Sequence, residues 1–417
     1  MIARTNLVRP SFLVVLALAA CFAVQSAQAS TVAVGTCPTT YITFSTIQAA
    51  ITAVPAGSII KICPGNYYEQ LSITKKLTLQ GIVFGTQDAV VIYPPVSGLV
   101  ANSTDARGAV AAHVLVQGAP GLVSISNLTV DSIGNKYNND DLRGILYQDA
   151  SGTLNHVAVR NVVPNDTPTG IQSGQGIMVE TTSSGSATLT VQNSSVHNYN
   201  KNGIVARYAG ATLIATGNYV QGNGVVASGL AAQNGIELAY NGAAGTIKNN
   251  TVIDNIYGDT NIATSSDILL YDSAENAGIT VSGNVLGNSQ ETIALISATG
   301  GLGDGVTVTG NKIFGTSSFD AIDACNNNNT ITGNTIFNTA QSGVHLDASC
   351  GGTGDNNVVS GNTVLESACA GYLIDAGTSG NGTPVGTFYT VPFTITSTTG
   401  SCTIPAGPAR KAHKVQP

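Results

Sequence analysis

A motif of the form Gly/Asn-Asn-x-aliphatic returns along most of the 417-residue chain and leaves few folds open. Copies stand at Asn193–Val196, Gly217–Val220, Asn249–Val252, Gly283–Leu286, Gly310–Ile313, Gly333–Ile336 and Gly361–Val364, with weaker ones at Asn127–Val130 and Asn155–Ala158. Successive asparagines from Asn193 onward, through Asn218, Asn250, Asn284, Asn311, Asn334 and Asn362, lie 25, 32, 34, 27, 23 and 28 residues apart. A second motif interleaves with the first, a glycine and an aliphatic residue opening an alternating stretch. It occurs at Gly144-Ile145, Gly176-Ile177, Gly203-Ile204, Gly235-Ile236, Asp267-Ile268, Gly343-Val344 and Gly371-Tyr372. A unit this short cannot bury its own apolar face, so copies must stack into a solenoid. Two strands per period, parted by Gly, Asn and Ser turns, specify the coil. The expected fold is all-β: a right-handed parallel β-helix, each strand about 4.8 Å from its copy in the next coil. Asn and Gly suit the left-handed turns this requires. The repeated asparagines are therefore read as structural and are assigned no chemistry.

A stack has two open edges that must be covered. At the first, Ser45 and Gln48 have the spacing of a capping box, and Ile47, Ala50, Ile51 and Val54 follow helical periodicity up to Pro55 and Gly57. The strand Ile59-Ile60-Lys61-Ile62 is then expected to open the first coil. The reading divides the chain into a signal peptide (1–29), an N-terminal cap with a short amphipathic helix (30–57), coils (58–365), a C-terminal cap (366–405) and a flexible tail (406–417).

The signal peptide rests on Arg4 and Arg9, the apolar run Phe12 to Val24, and small residues at Ala27 and Ala29 before Ser30. Leu18-Ala19-Ala20-Cys21 leaves open a lipoprotein anchored through Cys21; the main expectation is a secreted or periplasmic monomer without a transmembrane segment. Only 9% of residues are charged, and 23 acidic side chains outnumber 16 basic ones. That balance argues against nucleic acid as a partner. Six cysteines beyond the leader suggest disulfides, with chain proximity favouring Cys37–Cys63, Cys325–Cys350 and Cys369–Cys402.

Residues 44 to 81 run from Phe44-Ser-Thr-Ile47 through Pro64-Gly-Asn-Tyr-Tyr-Glu69 to Leu77-Thr-Leu-Gln-Gly81. This segment resembles the opening of the pectin-methylesterase and pectate-lyase-like β-helix superfamily. The resemblance implies the fold and covers about one tenth of the chain. Its catalytic motifs are not matched. Tryptophan is absent, Tyr147-Gln148-Asp149 is the faintest trace of the esterase motif, and Asp140-Asp141 before Gly144 lacks the Gly-His-Gly that accompanies such a pair in polygalacturonases.

Chemistry is expected on the outside of the strand after each glycine. Positions two and four place Gln148, Glu180, Arg207, Glu237, Tyr271, Asp323, His345, Asp347 and Asp375 in a water-facing column. Tyr208, Tyr240 and Asp272 follow at the strand ends. Glu180, Arg207 and Glu237 are catalytic candidates: paired carboxylates serve glycoside hydrolysis, and a base beside an Arg-neutralised uronate serves a lyase. Tyr208, Tyr240, Tyr271 and Asp272 are candidates for binding substrate. Asp323, His345 and Asp347, with Asp320, form a second catalytic candidate, a base or a metal site. The function expected is action on extracellular polysaccharide by a lyase or glycoside hydrolase, with Ca²⁺ in the lyase case. The alternative is a non-catalytic glycan-binding or cell-surface scaffold protein.

Overall fold

The structure is a computed structural model and describes residues 28–82, 87–137, 141–167, 171–182, 185–225, 232–257, 264–300, 302–388 and 394–397. Residues 1–27 of the expected signal peptide, with Cys21, and also Asp140, Cys402 and the expected tail 406–417 lie outside them. Among the described residues the strands form a 22-stranded and a 13-stranded sheet. Pairing is parallel throughout, except where Ser103–Asp105 runs antiparallel to Gly108–Gln117. Long strands such as Val123–Asp131 and Val358–Ser367 each pair with two separate strands of a neighbouring coil, so the larger sheet bends around two sides of the stack. Parallel crossovers of this kind are right-handed. The chain is a right-handed parallel β-helix.

Its core consists of ladders. Ile177, Ile204, Ile236, Ile268, Ile293, Ile322, Val344 and Tyr372 are successive rungs of the 13-stranded sheet. Val191, Ala215, Ile247, Val281, Val308, Ile331 and Val359 are rungs of the larger one. All lie in one continuous buried cluster, and each full-sized aliphatic side chain there contributes about 1.5–3 kcal/mol.

Both repeated motifs have a steric cause. A Cβ at Gly144, Gly176, Gly203 or Gly235 would stand 2.5–2.6 Å from the carbonyl oxygen of the next coil, so the corner admits only hydrogen. The asparagines form an amide ladder of their own. Nδ2 of Asn218, Asn250, Asn284, Asn311 and Asn334 donates to the Oδ1 of the next asparagine at 2.9–3.1 Å, ending on Asn362. Each of those amides also donates to a backbone carbonyl of the preceding coil. In the copy just before Asn218, Ser194 takes this place, its backbone N–H donating to Asn218 Oδ1.

Three expectations are corrected. The helix Ile47–Ala53 is capped by Thr46, whose Oγ1 accepts from Ala49 N; Ser45 is not the cap. Three residues after Thr46 comes an alanine, so no capping box can close. Glu69 from the first coil supplies the anion instead, accepting from Ile47 N and Gln48 N at 2.8 and 2.9 Å, while the Gln48 amide bonds Ser72. The sheet also begins before Ile59, because Thr31–Val34 pairs with Ile59–Ile62. Coils run past 365 too: Tyr372–Asp375, Val385–Phe388 and Thr394–Ser397 extend the ladders. Disulfides Cys37–Cys63 and Cys325–Cys350 form as expected.

Candidate functional site

The column after each glycine points away from the coil interior as expected, but it is not wet. Gln148, Glu180, Arg207, Glu237, Asp323, His345, Asp347 and Asp375 are all buried, as is Tyr271. The outer face of the 13-stranded sheet is covered. Over its early coils lies the Ser103–Asp105 hairpin, whose Thr104 carbonyl accepts from Gln148 Nε2. Over its later coils lies the segment around Gly351 and Gly352, packed on Ser297, Ala298 and Cys325 and tied down by Cys325–Cys350.

Two columns matter on the early coils, one at each end of the strand, with Leu146, Met178, Val205 and Glu237 between them. Gln117, Gln148, Glu180, Arg207, Ala239 and Tyr271 are consecutive rungs of the first. The second occupies the place before each glycine: Arg143, Gln175, Asn202 and Asn234, with Ser266 and Glu291 after them. Sequence reading missed this second column. Its signal was there, since the residue preceding Gly144, Gly176, Gly203 and Gly235 is polar every time.

Arg143, fully buried, donates from Nη2 to Asp141 Oδ1 at 2.5 Å and from Nη1 to Gln175 Oε1, and it reaches Asp105 at 3.4 Å. Arg107 shares Asp141 at 2.6 Å. Asp141 is thus an internal counterion. Gln148 is anchored from three directions and donates to Glu180 Oε1 at 2.9 Å, which fixes that carboxylate. Burial raises the Glu180 pKa above the ordinary carboxylate value, against the lowering pull of Arg143 and Arg207.

Glu180 and Arg207 are direct neighbours on the ladder but form no ion pair within 4 Å. Glu180 Oε2, Arg207 Nε and Arg207 Nη1 are buried with no hydrogen-bond partner. Leaving such groups unpaired costs several kcal/mol unless something fills the gap. The Arg207 guanidinium stands 5.1 Å from the Tyr240 ring centre and 5.9 Å from that of Tyr208, within cation–π range. Tyr208, Tyr240 and Tyr271 run in series, with ring centres 6.2 and 5.8 Å apart. Glu237 lies in the neighbouring column, two residues back from the rung after Arg207, and its Oε2 accepts from Asn202 and Asn234. Asp272 is engaged elsewhere, its Oδ1 accepting from Thr299 N.

The expected second group also assembles, at the far end of the same face. Asp323 and His345 are register partners. His345 Nδ1 lies 3.2 Å from Asp320 Oδ2, 3.6 Å from Asp323 Oδ1 and 3.9 Å from Asp347 Oδ2, and Nε2 lies 3.1 Å from Asp375 Oδ1. Burial opposes the imidazolium, but Asp320 and the other carboxylates outweigh it and push the His345 pKa well above its usual value. The leucine, alanine and isoleucine rungs at 269, 294 and 296 separate this group from Arg207. The sequence candidates therefore form two groups on one face.

A family model described as periplasmic copper-binding protein (NosD) matches residues 231–383, just over a third of the chain. No curated protein sequence matches. Similar solved structures include the GH136 lacto-N-biosidase from Eubacterium ramulus, 12% identical, covering 88% of this chain and 68% of that one with a TM-score of 0.56. The A-module of mannuronan C-5 epimerase AlgE4 from Azotobacter vinelandii is 17% identical, covering 84% and 94% with a TM-score of 0.50. The catalytic unit of the GH87 alpha-1,3-glucanase from Streptomyces thermodiastaticus is 18% identical, covering 83% and 66% with a TM-score of 0.51. At these identities the likeness is one of fold, the pectate-lyase-like right-handed parallel β-helix. Among the described residues, no helix is long and apolar enough to cross a membrane.

Proposed function

We propose that the protein is exported and acts on a polysaccharide, by hydrolase or lyase chemistry, at the Glu180–Arg207 site. One observation carries this reading: neighbouring opposite charges, both buried, that decline to pair and leave Glu180 Oε2 and Arg207 Nε and Nη1 unsatisfied. A sugar hydroxyl suits these three atoms, because it both donates and accepts. The tyrosine series beside it offers aromatic faces for pyranose rings. Glu180, kept protonated more readily than an ordinary glutamate, is placed to act as general acid. Arg207 steadies negative charge on the substrate, and Glu237, held by two amides, is the second carboxylate. The structural neighbours named for glycan-acting enzymes support this class of substrate, and the two disulfides support an oxidising compartment.

The test is a screen of purified protein against neutral and uronate polysaccharides, with and without Ca²⁺, scoring new reducing ends and unsaturated products. Turnover is expected, and Glu180→Gln and Arg207→Met should each lower it by about 100-fold or more without loss of fold. Glycan binding without any product would move the reading to a non-catalytic binder. Neither binding nor product, or activity indifferent to both variants, would overturn it.

A further inference from the structure

The geometry points to a divalent metal site built from Asp320, Asp323, Asp347 and the Nδ1 nitrogen of His345, independent of the Glu180–Arg207 site. A ring nitrogen carries at most one proton and can donate to one acceptor. Here carboxylate oxygens from three residues converge on the same nitrogen, at 3.2, 3.6 and 3.9 Å. Ligand atoms around an ion with bonds of about 2.0–2.1 Å stand about 3 to 3.4 Å apart, a spacing that Asp320 and Asp323 already approach from Nδ1, with Asp347 the outlying fourth ligand that must swing inward. The ligand atoms of Asp320, Asp323 and His345 already lie within 4.8 Å of one another.

The supports are those a metal site requires. Asp320 uses Oδ1 to accept from Ser342 N at 2.8 Å and turns Oδ2 to the centre. Asp347 uses Oδ1 to accept from Ser349 N and Oγ at 2.6 and 2.5 Å, and likewise turns Oδ2 inward. On the opposite side of the ring, Nε2 donates to Asp375 Oδ1, while Asp375 Oδ2 accepts from Ala348 N. A carboxylate behind the imidazole in this manner sets its tautomer and aims Nδ1 as a ligand. Cys325 and Cys350 stand nearby but are joined to each other, which removes them as ligands. One imidazole with carboxylates suits Zn²⁺ or Mn²⁺; Ca²⁺ takes oxygen ligands and should bind far less well. Cu²⁺ binds almost any such set tightest and would not discriminate.

The experiment strips the full chain with a chelator, dialyses it against Zn²⁺, Mn²⁺ or Ca²⁺, and counts retained ions by elemental analysis alongside thermal unfolding. One Zn²⁺ or Mn²⁺ per chain is expected, with a raised unfolding temperature. Asp323→Asn, which keeps the shape, should lose the ion. Asp375→Asn should weaken binding by about 10–100-fold while leaving the fold intact. Retention of no ion by the wild type, or equal retention by Asp323→Asn, overturns the site, whatever the outcome on polysaccharides.

Discussion

Two buried polar tracks climb this stack side by side, and they treat hydrogen bonding in opposite ways. In the turn, asparagine follows asparagine from Asn218 to Asn362, and each amide is satisfied by the copies above and below. On the outer face of the 13-stranded sheet hardly any residue repeats. Arg143, Gln175 and Asn202 succeed one another, as do Gln148, Glu180 and Arg207, and Asn202 Oδ1, Ser266 Oγ and several charged atoms have no partner. Repetition solves the problem of burying polarity. Where the chain abandons repetition, buried polar atoms are left without a partner among the described residues.

The sharpest test of that contrast is a pair of substitutions read by thermal unfolding. Asn284 accepts from the backbone N–H and amide of Asn250 and donates to Ile247 O and Asn311 Oδ1. Asn284→Ala strands several buried groups at about 1–3 kcal/mol each, so a loss of roughly 4 kcal/mol is expected. Glu180→Gln keeps the shape, removes a buried charge, and should leave the unfolding temperature unchanged or higher. The comparison breaks if Asn284→Ala unfolds with the wild type or Glu180→Gln unfolds well before it.

The same contrast explains what could be read in advance. Gly203-Ile204 and Gly310-Asn311 advertise the fold because every coil reuses them, so strands, ladders and stacking follow from the spacing. The outside positions of Glu180, Arg207 and His345 were legible for the same reason. Their burial was not, because the covering pieces, the Ser103–Asp105 hairpin and the Cys350 segment, occur once each and follow no period. The polar residue before each glycine was visible, but not the burial of Arg143, whose second carboxylate, Asp105, comes from the covering hairpin. The helix cap was misplaced by one residue because its acid, Glu69, is distant in sequence.

An interruption of the glycine corner at the early end of the stack gives a pH-dependent probe. The place held by Gly144, Gly176, Gly203 and Gly235 is filled by His113 one coil earlier. Its Nδ1 lies 3.0 Å from Ser132 Oγ and Nε2 donates to Glu69 O at 3.1 Å, in a fully buried place that disfavours the charged ring. Burial lowers the pKa to about 4, against the raising influence of the Tyr93 and Glu69 backbone and Asp131. Below about pH 6.5 the unfolded chain takes up a proton that the folded chain refuses until about pH 4. Stability should therefore fall across that window as pH drops, by about 3 kcal/mol, relative to His113→Asn. Denaturant midpoints of the two proteins at pH 7, 5.5 and 4 measure the difference, and parallel curves would remove His113 from the account.

The smallest effect belongs at the end of the stack, where polar groups are met neither by copies nor by a ligand. The first N–H groups of the helix Ile47–Ala53 are answered twice, by Thr46 Oγ1 at Ala49 N and by the Glu69 carboxylate at Ile47 N and Gln48 N. Thr46→Ala removes one of three contacts and should cost about 1 kcal/mol. Glu69→Gln keeps an acceptor but loses the charge at the positive end of the helix, and a similar cost is expected. If both changes together cost no more than either alone, the two caps act as one coupled unit. If the costs add, each holds different peptide groups, as the bond pattern requires, and the end cap depends on local reach as fully as the Asn284 ladder depends on repetition.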